Sequence, residues 1–286
     1  MILLLGASGQ VGRELSRQLS AFARVTAPTS AELDLTSPTA IRGAVRASRP
    51  LLIVNAAAYT AVDAAESDVN RCAAINALAP GVLAEEAEQN GAYLIHFSTD
   101  YVFDGSKTTP YVETDQTNPL GAYGRTKRDG ELAVVANCQR HLIFRTAWVY
   151  AAQGKNFVLT MRRLARERDE LKVVNDQIGA PTSAPAIAAG VAQVLRVLQK
   201  DPERVTSVSG IYHMTAGGET TWFEFARTIL ADEPRVTVRP ITTAEYPTPA
   251  KRPAYSVLDN AKLERVFGVT LPSWQDQWRT FNATSL

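Results

Sequence analysis

The chain has 286 residues, of which 45% are apolar and 21% are charged, as in a globular protein with one large domain or a large and a smaller one. The net charge of +1 argues against a nucleic-acid-binding or polybasic membrane surface, but leaves room for an anionic small molecule. Cys72 and Cys138 do not suggest a disulfide framework or a metal motif. With no signal peptide or membrane-spanning run recognised, we expect a cytoplasmic protein.

In chain order, the first half alternates short apolar runs with helical patterns. The run ILLL predicts a buried strand, and residues 11–22 predict a helix with one apolar face. Further strands are predicted at 23–27, 51–58, 92–99 and 141–150, and further helices from Ser37–Pro38, over 66–89 with a break at Pro80, and around 123–127. Apolar strands that do not alternate, in βα order, predict a doubly wound parallel sheet.

Three glycines, Gly6, Gly9 and Gly12, stand between the first strand and the first helix. A dinucleotide-binding turn needs glycine there, and the helix N-terminus offers free N–H groups to phosphates. Such turns also occur without a ligand, but the following βα units favour a nucleotide site. The second strand ends in APTS, without an acid for the ribose 2′-hydroxyl or a clear arginine clamp. We therefore expect NADPH and NADH both to be accepted, with NADPH preferred.

After residue 150 the pattern loosens. Helices are predicted at 156–169, 185–199 and 220–231, and a strand at 210–216. We assign residues 1–150 to a Rossmann-type NAD(P)-binding domain and residues 151–286 to a smaller C-terminal substrate-binding domain. Segments near 171–178 and 210–216 are expected to add to the large sheet.

The segment YGRTK places Tyr123 and Lys127 four residues apart, on one face of the predicted helix. Such pairs are usually solvated surface residues. Together with the GxxGxxG loop, however, the pair resembles the short-chain dehydrogenase/reductase superfamily. Within it, LLLGASGQVG, DLTSP, STDYVFDG, NPLGAYGRTKRDGE and NDQIGAPT resemble the dTDP-4-dehydrorhamnose reductase family, and the resemblance covers almost the whole chain. It implies NAD(P)H-dependent reduction of a dTDP-linked 4-keto sugar to dTDP-L-rhamnose.

The resemblance also implies catalytic roles. Tyr123 would donate a proton to the keto oxygen, Lys127 would lower the phenol pKa and bind the nicotinamide ribose, and Thr99 would hold the carbonyl oxygen. Ser98 is the competitor of Thr99, because consecutive strand residues face opposite ways. A simple turn or cap is the alternative for this cluster.

Further residues are implied to bind the two ligands. The implied cofactor contacts are Gly6, Gly9, Gln10, Val11, Gly12, Asp34, Leu35, Ala58, Tyr59, Thr60, Phe97, Tyr123 and Lys127. The implied substrate contacts are Thr99, Asp100, Trp148, Asn156, Gln177 and Arg252. For Trp148 a core position, and for Arg252 a surface ion pair, remain open. Asn55 is interpreted as an anchor between strands.

Some relatives hold magnesium between subunits through glutamates. Glu14 matches one of these, but Pro185 stands where another would be. We therefore expect no metal, and a monomer or a metal-free homodimer. His96, His141 and His213 lack ligand spacing and are interpreted as structural.

Two other functions remain open. One is reduction of a different nucleotide-linked 4-keto deoxysugar. The other is a non-catalytic, reductase-like regulatory subunit, as known for a methionine adenosyltransferase.

Overall fold

The computed structural model describes residues 1–201 and 204–284, and a parallel six-stranded sheet forms its centre. With strands numbered in chain order, the sheet runs from edge to edge through β10 (Gly210–His213), β5 (His141–Thr146), β4 (Tyr93–Thr99), β3 (Leu52–Asn55), β1 (Ile2–Leu5) and β2 (Val25–Thr26). The predicted parallel α/β fold class is confirmed.

Helices cover both faces of this sheet. The first face packs against α1 (Gln10–Leu19), α7 (Ala184–Lys200) and α10 (Ala261–Phe267). The second packs against α2 (Pro38–Ser48), α4 (Ala79–Asn90) and α5 (Ala122–Asn137). In β1, Ile2 and Leu4 join the first apolar cluster while Leu3 and Leu5 join the second. Alternation of side chains along an apolar strand thus supplies both cores.

The remaining elements are short strands and further helices, most of them from the carboxyl half of the chain. Three small sheets pair β6 (Val149–Tyr150) with β9 (Thr182–Ser183), β7 (Glu170–Val174) with β12 (Thr237–Ile241), and β8 (Ile178–Gly179) with β11 (Thr220–Thr221). The other helices are α3 (Val69–Ala73), α6 (Phe157–Glu167), α8 (Arg204–Ser207), α9 (Trp222–Ile229) and α11 (Trp274–Thr284). Within the described ranges, no helix combines the length and apolarity that crossing a membrane requires.

The predicted break at Pro80 is wrong. Residues 69–90 run on as helix, with a π-helical turn at Ala74–Leu78 joining α3 to α4. Pro80 is the second residue of α4 and directly follows this turn. The wide turn absorbs the irregularity that we expected to end the helix.

The predicted strand 141–150 is two strands. β5 ends at Thr146, and Trp148 adopts a left-handed backbone with φ of 47° before β6 pairs outside the large sheet. β10 joins the edge of the large sheet, as expected for the segment 210–216. The expectation for the segment 171–178 is wrong, because β7 pairs with β12 in a separate small sheet. The domain division at residue 150 stays a prediction, and residues 202, 203, 285 and 286 of its second part lie outside the described ranges.

A substitution at Gly130 tests how closely α5 packs against the π-helical turn. A methyl group there would overlap the carbonyl oxygen of Asn76 in the π-helical turn, whereas Gly43 in α2 is exposed with open space around it. We expect Gly130→Ala to lower the free energy of unfolding by about 1–3 kcal/mol through overpacking. Gly43→Ala should raise it by about 0.5–1 kcal/mol, because alanine loses less backbone entropy. Urea unfolding of both variants measures this, and equal stability of Gly130→Ala and wild type would contradict it.

Candidate active site

A cleft of about 1070 Å³ opens where the parallel strands β1, β3, β4 and β5 end. Ligands of open α/β sheets bind at this carboxyl edge. The cleft walls include most of the residues singled out from the sequence: Gly6, Gly9, Gln10, Val11, Asp34, Leu35, Ala58, Thr60, Phe97, Thr99, Asp100, Tyr123, Lys127 and Trp148.

The glycine loop forms one end of the cleft. Gly6 has φ of 78°, and a Cβ there would lie 2.5 Å from the Ala57 nitrogen. A Cβ on Gly12 would overlap the carbonyl oxygen of Gly6, so both glycines are needed for the close approach of α1, the loop and β3. α1 begins at Gln10 beside the cleft, where its free N–H groups suit a pyrophosphate. The loop fits the predicted dinucleotide.

Beyond this loop, the cleft has a polar, partly cationic wall. The Asp34 carboxylate accepts hydrogen bonds of 2.8 Å from the Thr36 amide and hydroxyl, which lower its pKa. Arg13, Arg17 and Arg71 also line the cleft. We had found no arginine clamp near β2, because these side chains come from α1 and α3 and meet only in the folded chain.

The first turn of α5 carries Tyr123. The Glu66 carboxylate accepts a 2.7 Å hydrogen bond from the Ala122 amide and so fixes the start of this helix. A Cβ on Gly121 would lie 2.6 Å from the same carboxylate oxygen, so only glycine leaves it space. Sequence reasoning missed Glu66, because its partner lies in a distant segment.

Tyr123 is held in a protonated form. Burial raises the pKa of its phenol above the ordinary value, and the neighbouring Thr99 hydroxyl acts in the opposite direction. Our expectation that Lys127 lowers this pKa is wrong, because burial raises the pKa and the group that acts to lower it is the Thr99 hydroxyl. A neutral phenol is the state that a proton donor needs at neutral pH.

Lys127 lies on the same helix, 2% exposed. Its Nζ donates a 2.5 Å hydrogen bond to the Phe97 carbonyl and lies 3.3 Å from Nε2 of His96. Burial lowers the pKa of Lys127 to about 8, while the Glu131 carboxylate acts to raise it. Lys127 can therefore gain or lose a proton close to neutral pH.

The end of β4 supplies two more polar groups. The Thr99 hydroxyl donates a 3.0 Å hydrogen bond to the Asp100 carboxylate and accepts one from the Tyr101 amide. Burial raises the pKa of Asp100 to about 6. Ser98 and Thr99 both border the cleft, but the Ser98 hydroxyl oxygen is buried and out of reach of a ligand, in line with the alternation of strand residues.

An aromatic pair forms part of the wall. Trp148 stacks on Trp222 with ring centroids 3.4 Å apart and planes 5° from parallel. Gly179 lies against the Trp148 indole, where any side chain would collide. The left-handed backbone of Trp148 and the absent side chain at residue 179 together place this ring. Trp222 was missed from the sequence, where it was interpreted only as part of a helix.

Five predicted site residues do not line the cleft. Gly12 packs beneath the loop, and the Tyr59 amide donates to the Asn76 side chain at 2.8 Å. Asn156 donates to Gln10 at 2.9 Å and Gln177 to Thr243 at 3.0 Å, while Arg252 pairs bidentately with Asp63 at 2.6 and 2.8 Å. Of the two interpretations left open for Arg252, the ion pair is present.

Comparison with known proteins decides the family. The model of the RmlD substrate binding domain matches residues 1–285. The dTDP-4-dehydrorhamnose reductase of Burkholderia thailandensis is 48% identical over 283 residues, covering 96% of this chain and 95% of that protein. The chain belongs to the dTDP-4-dehydrorhamnose reductase family.

Two further relatives bear on ligands. The crystal structure of the family member from Bacillus anthracis in complex with NADP has a TM-score of 0.91 and 34% identity, covering 99% of this chain and 98% of that one. A Streptomyces antibioticus protein named "probable dTDP-4,6-dihydroxy-2-methyloxan-3-one 4-ketoreductase" is 41% identical over 281 residues, covering 97% of this chain and 92% of that protein.

Among the residues that the structure describes, no group of three or more His, Cys, Asp or Glu side chains could hold a metal ion. Glu14 pairs instead with Arg17 at 3.1 Å.

Proposed function

We propose that the protein reduces the 4-keto group of dTDP-4-dehydro-L-rhamnose to give dTDP-L-rhamnose. The observation that carries this proposal is the meeting of Thr99, Tyr123 and Lys127 in one cleft with the glycine loop. Membership of the reductase family supports the substrate class.

In the proposed reaction, bound NADPH or NADH supplies the hydride that reduces the sugar C4. The Tyr123 phenol donates its proton to the oxygen at C4. Although its pKa is raised, the alkoxide that develops on that oxygen is a much stronger base than a phenolate, so the transfer is downhill. The Thr99 hydroxyl orients the same oxygen beside the phenol, for which it would exchange its hydrogen bond to Asp100. Lys127 then returns a proton to Tyr123, which its lowered pKa favours.

The proposed cofactor contacts are the cleft residues of the glycine loop, of 34–35 and 58–60, and Phe97, Tyr123 and Lys127. Gly12 and Tyr59 do not line the cleft. We propose that they act by holding in place the backbone of the glycine loop and of residues 58–60, respectively. A preference for NADPH is supported by the absence of an acid in residues 27–30, directly after β2, and by the three arginines on the wall of the cleft.

For the substrate, we propose that Trp148 with Trp222 provides an aromatic surface, and that Asp100 and Thr99 contact the sugar. Asn156, Gln177 and Arg252 are proposed substrate contacts on the family resemblance alone. Arg252 has forked donors suited to a diphosphate, and would have to exchange Asp63 for it.

The second candidate is reduction of another dTDP-linked 4-keto sugar. It is favoured by the 41% identity to the Streptomyces antibioticus protein whose name states such an activity. NMR of the product sugar separates the two, because the configuration at C4 and the substitution of the ring differ.

The direct test mixes the protein with dTDP-4-dehydro-L-rhamnose and NADPH and follows the loss of absorbance. We expect turnover in the wild type and a loss of at least about a hundredfold in kcat for Tyr123→Phe, with the Kd for NADPH changed little. Lys127→Met should weaken both turnover and cofactor binding.

Tyr93→Phe is the matched control, since Tyr93 lies at the opposite end of β4 and outside the cleft. It should keep wild-type activity. Near-full activity of Tyr123→Phe would show that the proton comes from elsewhere. Cofactor binding without turnover would support the regulatory-subunit alternative.

Cofactor preference is tested by Michaelis constants. We expect a lower KM for NADPH than for NADH, with the NADPH value rising more steeply with salt because arginines would face its extra phosphate. A hundredfold preference for NADH would contradict this proposal.

We also propose that the protein is a cytoplasmic monomer or metal-free homodimer. Free, buried Cys72 and Cys138 are compatible with a reducing compartment. Light scattering should give the same molar mass with and without EDTA. An assembly that EDTA dissociates would overturn this expectation.

A further inference from the structure

Behind Lys127 lies a row of buried polar groups that the proposed reaction does not use. Asn55 of β3 and His96 of β4 are partners in the strand register, and they are 1% and 0% exposed. Nδ2 of Asn55 lies 3.2 Å from Nδ1 of His96, and Nε2 of His96 lies 3.3 Å from Nζ of Lys127. The row thus joins the end of β3 to the catalytic lysine.

One end of the row has fixed polarity. At this end, the Ala57 backbone amide donates to Oδ1 of Asn55 at 3.2 Å. At the other, Lys127 donates to the Phe97 carbonyl at 2.5 Å. A backbone N–H can only donate, so the Ala57 end sets the direction of the hydrogen bonds along the row, whereas either form of the lysine can donate to the Phe97 carbonyl.

The direction determines the tautomer of His96. Because Oδ1 of Asn55 accepts from Ala57, its Nδ2 group is the donor that faces Nδ1 of the imidazole. Burial and the neighbouring Lys127 hold the pKa of His96 well below its usual value, so the ring is neutral. A neutral ring that accepts at Nδ1 carries its proton on Nε2.

The Nε2–H group then points at Nζ of Lys127. A neutral amine has a lone pair that can accept this hydrogen bond, whereas an ammonium group would place donor against donor. For His96 to accept from an ammonium, it would have to change tautomer and Asn55 would have to rotate its amide, which loses the bond from Ala57. The row therefore favours the neutral amine.

The neighbouring Glu131 and Cys72 do not favour the neutral form of Lys127. The ionisable groups that face it are His96, Cys72 and Glu131, with Tyr123 one turn earlier on α5. Glu131 favours the ammonium, but its two oxygens bind Arg145 at 2.8 and 2.7 Å. His96 is the group whose hydrogen-bonding direction opposes the charge on Lys127.

We propose that His96, oriented by Asn55, is a positioning residue that controls whether Lys127 holds a proton. Its catalytic consequence rests on the proposed reductase function, in which Lys127 gives a proton back to Tyr123. A lysine that holds its proton too strongly would return it to Tyr123 slowly. The row would therefore keep the pKa of Lys127 close to the pH at which the enzyme works.

The direct experiment follows the ionisation of Lys127 by NMR, with carbon-13 in the lysine side chains and Lys127→Met to assign its signal. In wild type, the Lys127 signal should titrate well below the ordinary lysine value. His96→Gln removes the fixed donor, and Asn55→Asp turns the donor facing Nδ1 into an acceptor of nearly the same shape. Both should raise the titration midpoint by about one pH unit or more.

His141→Gln is the matched control, because His141 is also a buried strand histidine but bonds the Cys138 carbonyl. It should leave the Lys127 midpoint unchanged. Unchanged midpoints in both His96→Gln and Asn55→Asp would overturn the proposal.

The wild type provides a test that needs no variant to fold. The chain has three histidines, so nitrogen-15 spectra of their rings can be resolved and read for tautomer. We expect His96 to be neutral with its proton on Nε2 at pH 9, where Lys127 is a neutral amine. A proton on Nδ1 there would overturn the proposal.

The pH profile links this control to catalysis. Activity that needs the proton on Lys127 falls as the pH rises through its pKa of about 8. In His96→Gln and Asn55→Asp this descending limb should move to higher pH, as the NMR midpoint does. The NMR measurements need no substrate, so a protein without reductase activity would refute the proposed function and still test His96. If the descending limb of the pH–activity profile stayed in place while the NMR midpoint of Lys127 moved, the link between His96 and catalysis would be refuted.

Discussion

The close approach of helix α5 to the rest of the second layer is the constraint on which the site depends. Gly124 lies against the Tyr101 carbonyl and Gly130 against the Asn76 carbonyl, and neither contact leaves space for a methyl group. Because the helix backbone comes this near, the side chains of Tyr123 and Lys127 reach the end of β4. Two small residues thus decide where the proton donor and its lysine lie.

Burial sets the chemistry of the two groups in opposite ways, with Lys127 buried and Tyr123 half-buried at the cleft. Loss of water raises the pKa of the Tyr123 phenol and lowers that of Lys127, because in each case the charged form is penalised. The phenol remains protonated and the lysine loses its proton more easily. Burial thus shifts both groups toward their neutral forms, although a lysine with a pKa of about 8 still carries its proton at neutral pH.

Much of the fold follows from local patterns in the chain. Apolar runs and helical periods predicted the strands of the large sheet and most of its helices, since burial on both faces requires those patterns. The predictions failed where contacts from elsewhere override them. The π-helical turn lets the helix continue past Pro80, and the space at Gly179 admits the indole ring of Trp148, whose backbone is left-handed.

By itself, the sequence determined the fold class, the glycine loop and the pair Tyr123 and Lys127, because these depend on spacing along one strand, turn or helix. Only the tertiary structure decided what surrounds them. His96 was interpreted as a structural histidine and Asn55 as a strand anchor, yet strand pairing aligns them behind Lys127. Glu66 reaches α5 in the same way. The reason is physical: hydrogen bonds between distant segments depend on register and packing, and neither leaves a local pattern in the sequence.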